Sequence, residues 1–386
     1  MPSPPARLLL ARLSLGCALI AMAWAPAARA DDDKPTLGVR YTTDVLGTIS
    51  GGLERDARWL GRLDVLADSG DRLLGIDGLS AHADLMLVHG GGLSDRIVGD
   101  AQVVSNVDAP VALRPFEAWV EASPGGNVRL KAGFIDLNSE FDVQSVGALF
   151  LNSSFGIAPD YSQSGQNGPS IFPVTSPGLL VAVERKRWTI RAAVFDAVPG
   201  SPAYPHRFLP GPFGTGGALL AVEGDIKVGA GGELQAGAWR YTDRFPRLDG
   251  NGRSVSAGMY VQYEQVLLDK QVPGAVRGWL RVGHAASRVN PIGLYVGGGL
   301  SWGSDKARLG LAVGHARLGN PGLAAVAAVD PAFRAETAGE LTGYLRLTSW
   351  LAVQPDLQYV RHPGWKATPD ALVAGLRLHF SIGGKD

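Results

Sequence analysis

The chain is almost without cysteine. Its single one, Cys17, sits in an apolar run from Leu13 to Ala25 that is flanked by Arg7 and Arg12. Ala28-Arg29-Ala30 follows as a small-x-small cleavage site, so residues 1–30 read as a cleaved secretory signal and Asp31 as the mature start. Ser14 stands three residues before Cys17, where a lipoprotein signal wants leucine. The mature chain therefore has no cysteine, which excludes disulfides, cysteine metal sites and cysteine nucleophiles. Long apolar runs are missing too, and nothing after the signal approaches the ~20 residues of a spanning helix. Neither sign of charge dominates. Without the three arginines of the signal, 33 basic residues face 36 acidic ones, a balance of −3. With no basic block either, this argues against a nucleic-acid partner. No Pro/Ser-rich linker or composition shift divides residues 31–386, which read as one domain.

What the chain has in excess is glycine and alternation. All but one of its 52 glycines lie in the mature part, where they suit turns and crowded strands and oppose helices. From Leu341 to Phe380 the period is two. Leu341, Gly343, Leu345 and Leu347 oppose Thr342, Tyr344 and Arg346, and Leu351, Val353, Pro355, Leu357 and Tyr359 oppose Gln354, Asp356 and Gln358. Leu372, Ala374, Leu376, Leu378 and Phe380 oppose Arg377 and His379. Successive strand side chains point to opposite faces, so such segments have one oily and one wet face. The pattern recurs upstream: Trp59, Gly61, Leu63 and Val65 around Arg62 and Asp64; Phe116, Ala118 and Val120 around Glu117 and Trp119; Val128, Leu130, Ala132 and Phe134 around Arg129 and Lys131. It returns around Arg191, around Arg277, Trp279 and Arg281, and around Arg308.

A soluble β-sandwich also alternates. The wet face here, however, is rich in Arg with Trp, Tyr and Gln, as suits a water-filled lumen crossed by a strong field. A spanning strand with its share of turns takes about 22 residues, judged from strands of ~9–11. The mature chain therefore has room for about 16 strands, a number that leaves an aqueous channel. The expectation is an all-β, antiparallel transmembrane β-barrel of about 16 strands.

Residues 136 to 180 break the rhythm. They are dense in Asn, Ser, Gln and Asp with Phe and Tyr interspersed, and a structureless loop of this length is uncommon without a function. Polar planar groups beside aromatic rings suit a sugar surface, though a plain packed loop has the same composition.

Several stretches, in order, carry a resemblance: Gly51-Gly52-Leu53, Val104-Ser105-Asn106, Phe116-Glu117-Ala118-Trp119, the block from Gly133 through Phe172-Pro173, Ala335-Glu336-Thr337, Glu340-Leu341-Thr342, and Leu351 through Val360. They resemble the carbohydrate-selective porin (OprB) family of bacterial outer membranes over essentially the whole mature chain. The resemblance implies a 16-stranded outer-membrane porin. A long loop narrows its lumen, and charged side chains, arginine prominent, line its eyelet. Glucose, other monosaccharides and related polyols would pass by facilitated diffusion, with no cofactor. The expected eyelet residues are Arg62, Asp64, Glu117, Trp119, Arg129 and Lys131 on early strands, and Asp136, Asn138, Glu140 and Asp142 at the loop entrance. Arginine would donate paired hydrogen bonds to adjacent hydroxyls.

The partners implied are small sugars, outer-membrane lipid, and the barrel-assembly machinery, which would read a last strand ending at Phe380. A homo-oligomer is compatible with the class. The six residues after Phe380 depart from the usual terminal aromatic. An enzyme is disfavoured: none of the seven histidines has metal-ligand spacing, and no serine sits in a G-x-S-x-G elbow. Gly297-Gly298-Gly299 has no following Lys-Ser/Thr and reads as strand packing. A general porin on the same barrel, or a barrel acting as hydrolase or adhesin, are the other readings.

Overall fold

The period-two segments each form a strand, and hydrogen bonding closes them on themselves. The structure is a computed structural model describing residues 34–383 apart from 202, 209–212, 215 and 269–273. The signal, its junction at Asp31 and the last three residues lie outside the described residues. Sixteen strands form the wall: β1 (Thr36–Ser50), β2 (Ala57–Asp68), β3 (Leu79–His89), β4 (Ala112–Ala122), β5 (Val128–Ile135), β6 (Ser176–Glu184), β7 (Trp188–Asp196) and β8 (Ala218–Val228), then β9 (Gly232–Pro246), β10 (Arg253–Leu268), β11 (Ala275–Ala285), β12 (Ile292–Gly303), β13 (Ala307–Leu318), β14 (Ala335–Arg346), β15 (Leu351–Arg361) and β16 (Ala371–Gly383). Each pairs antiparallel with its chain neighbours, and β1 pairs with β16 from Gly38–Gly383 to Ser50–Leu372, so the sheet has no free edge. Closure matters because an unpaired edge in hydrocarbon leaves backbone groups without partners. No helix among the described residues is long and apolar enough to cross a membrane.

The connections differ between the two ends. The long ones, 90–111, 136–175, 197–217 and 319–334, all lie at one end, while 185–187, 229–231 and 304–306 are tight turns at the other. In outer-membrane barrels the short-turn end is periplasmic. Outward positions are apolar and exposed, as at Val65, Leu130, Leu179, Ile190, Leu280, Leu311 and Leu341. Inward positions are polar and buried, as at Asp64, Glu223, Arg281, Glu340 and Gln358.

Three local expectations change. Phe116 does not follow Ala118 and Val120 to the lipid side. The β3–β4 register shifts so that Asp84 faces Glu117 and Leu85 faces Pro115, leaving Phe116 as the extra residue of a bulge. Its ring is turned inward under the Arg62 guanidinium, 4.5 Å away. The central loop ends at 175, since β6 begins at Ser176. Finally, β16 continues past Phe380 to Gly383. Phe380 lies on the outer face, stacked between Tyr41 and Trp350 at 6.1 and 6.3 Å.

The apolar core lies inside the barrel. Val146, Leu149, Phe150 and Phe155 of the loop pack on Trp279 and Ala312. Leu93, Ile97, Val98 and Val104 of the 90–111 connection pack on Leu46, Leu60, Val360 and Val373. The wall makes room for the central loop with small inward residues. A Cβ at Gly310 would run into Leu149 and Phe150, and one at Gly314 into Phe155 and Tyr295.

Candidate functional site: the charged lumen and its loop

The loop 136–175 is folded into the lumen and held there by inward side chains of β8, β12, β14 and β15. Glu340 of β14 accepts the backbone N–H groups of Leu151 and Asn152 at 2.7 and 2.9 Å. Gln358 of β15 accepts from the Asn152 amide at 3.1 Å. Tyr295 of β12 donates to the Ser154 carbonyl at 2.9 Å, and Glu223 of β8 accepts the Asp142 N–H at 2.9 Å. These acceptors satisfy backbone groups that a loop buried in a barrel would otherwise leave bare.

The strongest fastener is Arg281 on β11. Its Nε and Nη2 bind Asp142 at 2.7 and 2.8 Å, and its Nη1 binds Asp160 at 2.8 Å. All three side chains are fully buried. Tyr260 and Tyr295 lie under the guanidinium, 4.9 and 5.6 Å away. The position two residues on is Gly283, where a Cβ would strike Asp160 and Arg281. A guanidinium with five fixed donors can hold two carboxylates at once.

The other wall, β2 to β8, carries a band of paired charges in which most of the acids are buried while Arg62, Arg129, Arg191 and Glu184 keep contact with solvent. Arg62 bonds Asp64 at 2.7 Å and Asp84 at 3.3 Å, and the loop's Phe172 ring lies 5.2 Å from it. Glu117 accepts the Asp136 N–H at 3.0 Å, tying the loop entrance to β4. Lys131 lies over the Trp119 ring at 4.0 Å and pairs with Glu140 at 2.5 Å and Glu121 at 3.3 Å. Arg129 reaches Glu140 at 2.6 Å, Glu121 at 3.0 Å and Glu184 at 3.1 Å. Arg191 binds Glu223 at 2.7 Å and also Asp225. Burial, with the Glu117 carboxylate beside it, pushes the Asp136 carboxyl up to about 7. Below this band the lumen opens into a cavity of about 760 Å³, bounded by Arg129, Glu140, Arg191, Asp225, Gln262 and Glu264 among others.

Eight of the ten residues expected from sequence thus form one continuous band: Arg62, Asp64, Glu117, Trp119, Arg129, Lys131, Asp136 and Glu140. The other two lie elsewhere. Asn138 donates its amide to the Phe141 carbonyl at 3.1 Å and shapes the loop turn, and Asp142 is sealed against Arg281. Sequence reading missed Asp84, Arg191, Glu223, Asp225 and Asp160 as site residues, and Arg281 as a fastener. The strand members occupy the wet register of their strands, which was the available signal. Asp160 lies in a loop and has no periodic signal at all.

A closed antiparallel barrel, apolar outside and charged inside, with a loop inserted in its lumen, defines a porin, a channel and not an enzyme. The family model described as carbohydrate-selective porin, OprB family, matches residues 54–382, and the chain belongs to that family. It is therefore an outer-membrane barrel. The solved structure of Pseudomonas putida OprB at high pH superposes with a TM-score of 0.79 at 20% identity, covering 91% of this chain and 95% of that one. Mutants of Rh. blastica porin match more loosely. One of them has a TM-score of 0.56 and 12% identity, covering 90% of this chain and 100% of its own. No curated protein matches the chain.

Proposed function

We propose that this porin passes monosaccharides, glucose among them, and related polyols down their gradient by facilitated diffusion. The observation that carries the reading is the band from Arg62 to Glu140. There forked cations and carboxylates alternate beside the Trp119 and Phe172 rings. A hydroxylated ring finds donors in arginine and acceptors in the acids, while its apolar face meets an aromatic. The paired charges hold their geometry before solute arrives, so little ordering cost is left for binding.

Seven carboxylates (Asp64, Asp84, Glu121, Glu140, Glu184, Glu223 and Asp225) face four cations (Arg62, Arg129, Lys131 and Arg191) along this wall. The open pore should therefore favour small cations over anions while a neutral sugar occupies it transiently. The outward aromatic Phe380 in the last strand is the feature we assign to recognition by the assembly machinery.

The test is single-channel conductance of the refolded barrel in a planar bilayer, titrated with glucose. Partial, saturable closure supports the reading. Channels of normal conductance indifferent to every sugar would reduce the protein to a general porin, and a folded barrel without channels would end the transport reading.

A further inference from the structure

Five lumen arginines, Arg62, Arg129, Arg191, Arg281 and Arg377, each form an ion pair with a carboxylate. The outer wall at the long-loop end behaves differently. Outward side chains along β11 run Leu280, Val282, His284, and along β13 they run Leu309, Leu311, Val313, His315, Arg317. The apolar strip therefore gives way to cations on the side of the barrel that meets lipid. Register keeps these ends together: His284 pairs with Leu294, Leu294 with Arg317, and Arg317 with Ala335.

A cavity of about 310 Å³ opens there, lined by His284, Ser287, Arg317, Asn320 and Arg334 over a floor that includes Gly293 and Gly319. No carboxylate lines it. Arg334 donates to the Asn320 side-chain oxygen at 2.9 Å, which steadies its guanidinium at the rim. Among the described residues, the side chains of His284 and Arg317 form no hydrogen bond or ion pair, although His284 acts electrostatically on Asp160. The floor is closed to larger residues, since a Cβ at Gly319 would overlap Ser287.

We propose that this cavity binds the phosphorylated headgroup of an outer-leaflet glycolipid. Two guanidiniums and an imidazole around an acid-free pocket match a phosphate, whose oxygens accept forked donors. The apolar strip directly beneath, through Leu280, Val282, Leu311 and Val313, is where the acyl chains of the same molecule lie. A free phosphate has no use for that strip, which favours a lipid. Basic pockets at the membrane surface hold anionic headgroups in this way.

Native mass spectrometry of the detergent-purified barrel tests the proposal, with diphosphorylated lipid A, its dephosphorylated counterpart and inorganic phosphate as probes. Wild type should retain the phosphorylated lipid and not the dephosphorylated one. The Arg317→Ala/Arg334→Ala double variant should lose retention by about tenfold or more, and the corresponding Lys pair should recover part of it. Equal retention by wild type and double variant would overturn the proposal, as would equal binding of the dephosphorylated lipid. Displacement by inorganic phosphate at matched concentration would instead make this a free-anion site and sink the lipid assignment. Arg317→Gln and Arg334→Gln singly replace the double variant if it does not fold. Glucose closure of the channel is read on the same samples, so failure here is distinct from failure of the sugar reading.

Discussion

Glu140 and Asp142 are two residues apart on the same loop, carry the same charge and both meet an arginine, yet they belong to different environments. Glu140, itself only 6% exposed, lies against Lys131 and Arg129 at the edge of the open cavity, where the Arg129 side chain keeps 20% of its surface in contact with solvent. Asp142 is turned into the wall by a left-handed backbone at φ 59, a conformation that Asp tolerates, and meets Arg281 with no exposure on either side. Water makes the difference. Around Arg281 the rings of Tyr260 and Tyr295 exclude it. Around Arg129 the lumen supplies it. A dry pair is a fastener whose loss strands buried charge, whereas a wet pair is a surface whose partners a solute can borrow.

The sharpest way to break this comparison is Arg281→Met. Two carboxylates would be left buried and uncompensated, so the loop should detach at a cost of about 3–5 kcal/mol. The readouts are denaturant midpoint and a noisier, larger conductance. Adding Asp142→Asn and Asp160→Asn should restore much of the stability. A mild Arg281→Met phenotype would mean that the two pairs are alike.

Leu341→Arg gives the outward reference. Leu341 is exposed between Leu311 and Leu357 in mid-strand, unlike Leu345 near the strand end. It should cost ~2–4 kcal/mol at midplane depth, measured by folding into lipid vesicles at graded urea. No change would show that inside and outside had been reversed.

Arg129→Ala should cost less stability than Arg281→Met, because Lys131 still pairs with the Glu140 carboxylate it leaves behind. It should shift the reversal potential towards cations and weaken glucose closure about tenfold, the worth of one charged hydrogen bond. Loss of folding with intact selectivity would move Arg129 into the fastener class.

The smallest effect concerns pH. Asp136 is held above the ordinary carboxylate range, to about 7. Its folded form therefore keeps a proton that the unfolded chain has released. Stability from this group is full below the unfolded value and declines as pH rises through about 7. Cation selectivity should climb modestly between pH 6 and 8, and Asp136→Asn should flatten that step. A step that survives the substitution belongs to another group.

Much of this was legible in the chain. Alternation at Leu341–Phe380 and around Arg62, Arg129 and Arg281 separates lipid from lumen because side-chain direction on a strand is a local property. The reversed facing of Phe116 came from a bulge, which a single strand does not reveal because it is defined by the partner's register. The seat for the loop was partly visible as well. Inward Gly297, Gly299, Gly310 and Gly314 leave β12 and β13 nearly bare, and glycines in strands mark close approach of other chain.

The sequence by itself determined that this is a barrel wall with one oily and one charged face, and that a long polar loop interrupts it. Those properties repeat along the chain and need no knowledge of distant residues. Only the tertiary structure decided which charges stay wet. Arg281 and Asp142 are 139 positions apart, and Glu340 and Leu151 are 189 apart. Their meeting depends on the closure of sixteen strands and on where the aromatic rings shut out water, and no local pattern encodes either.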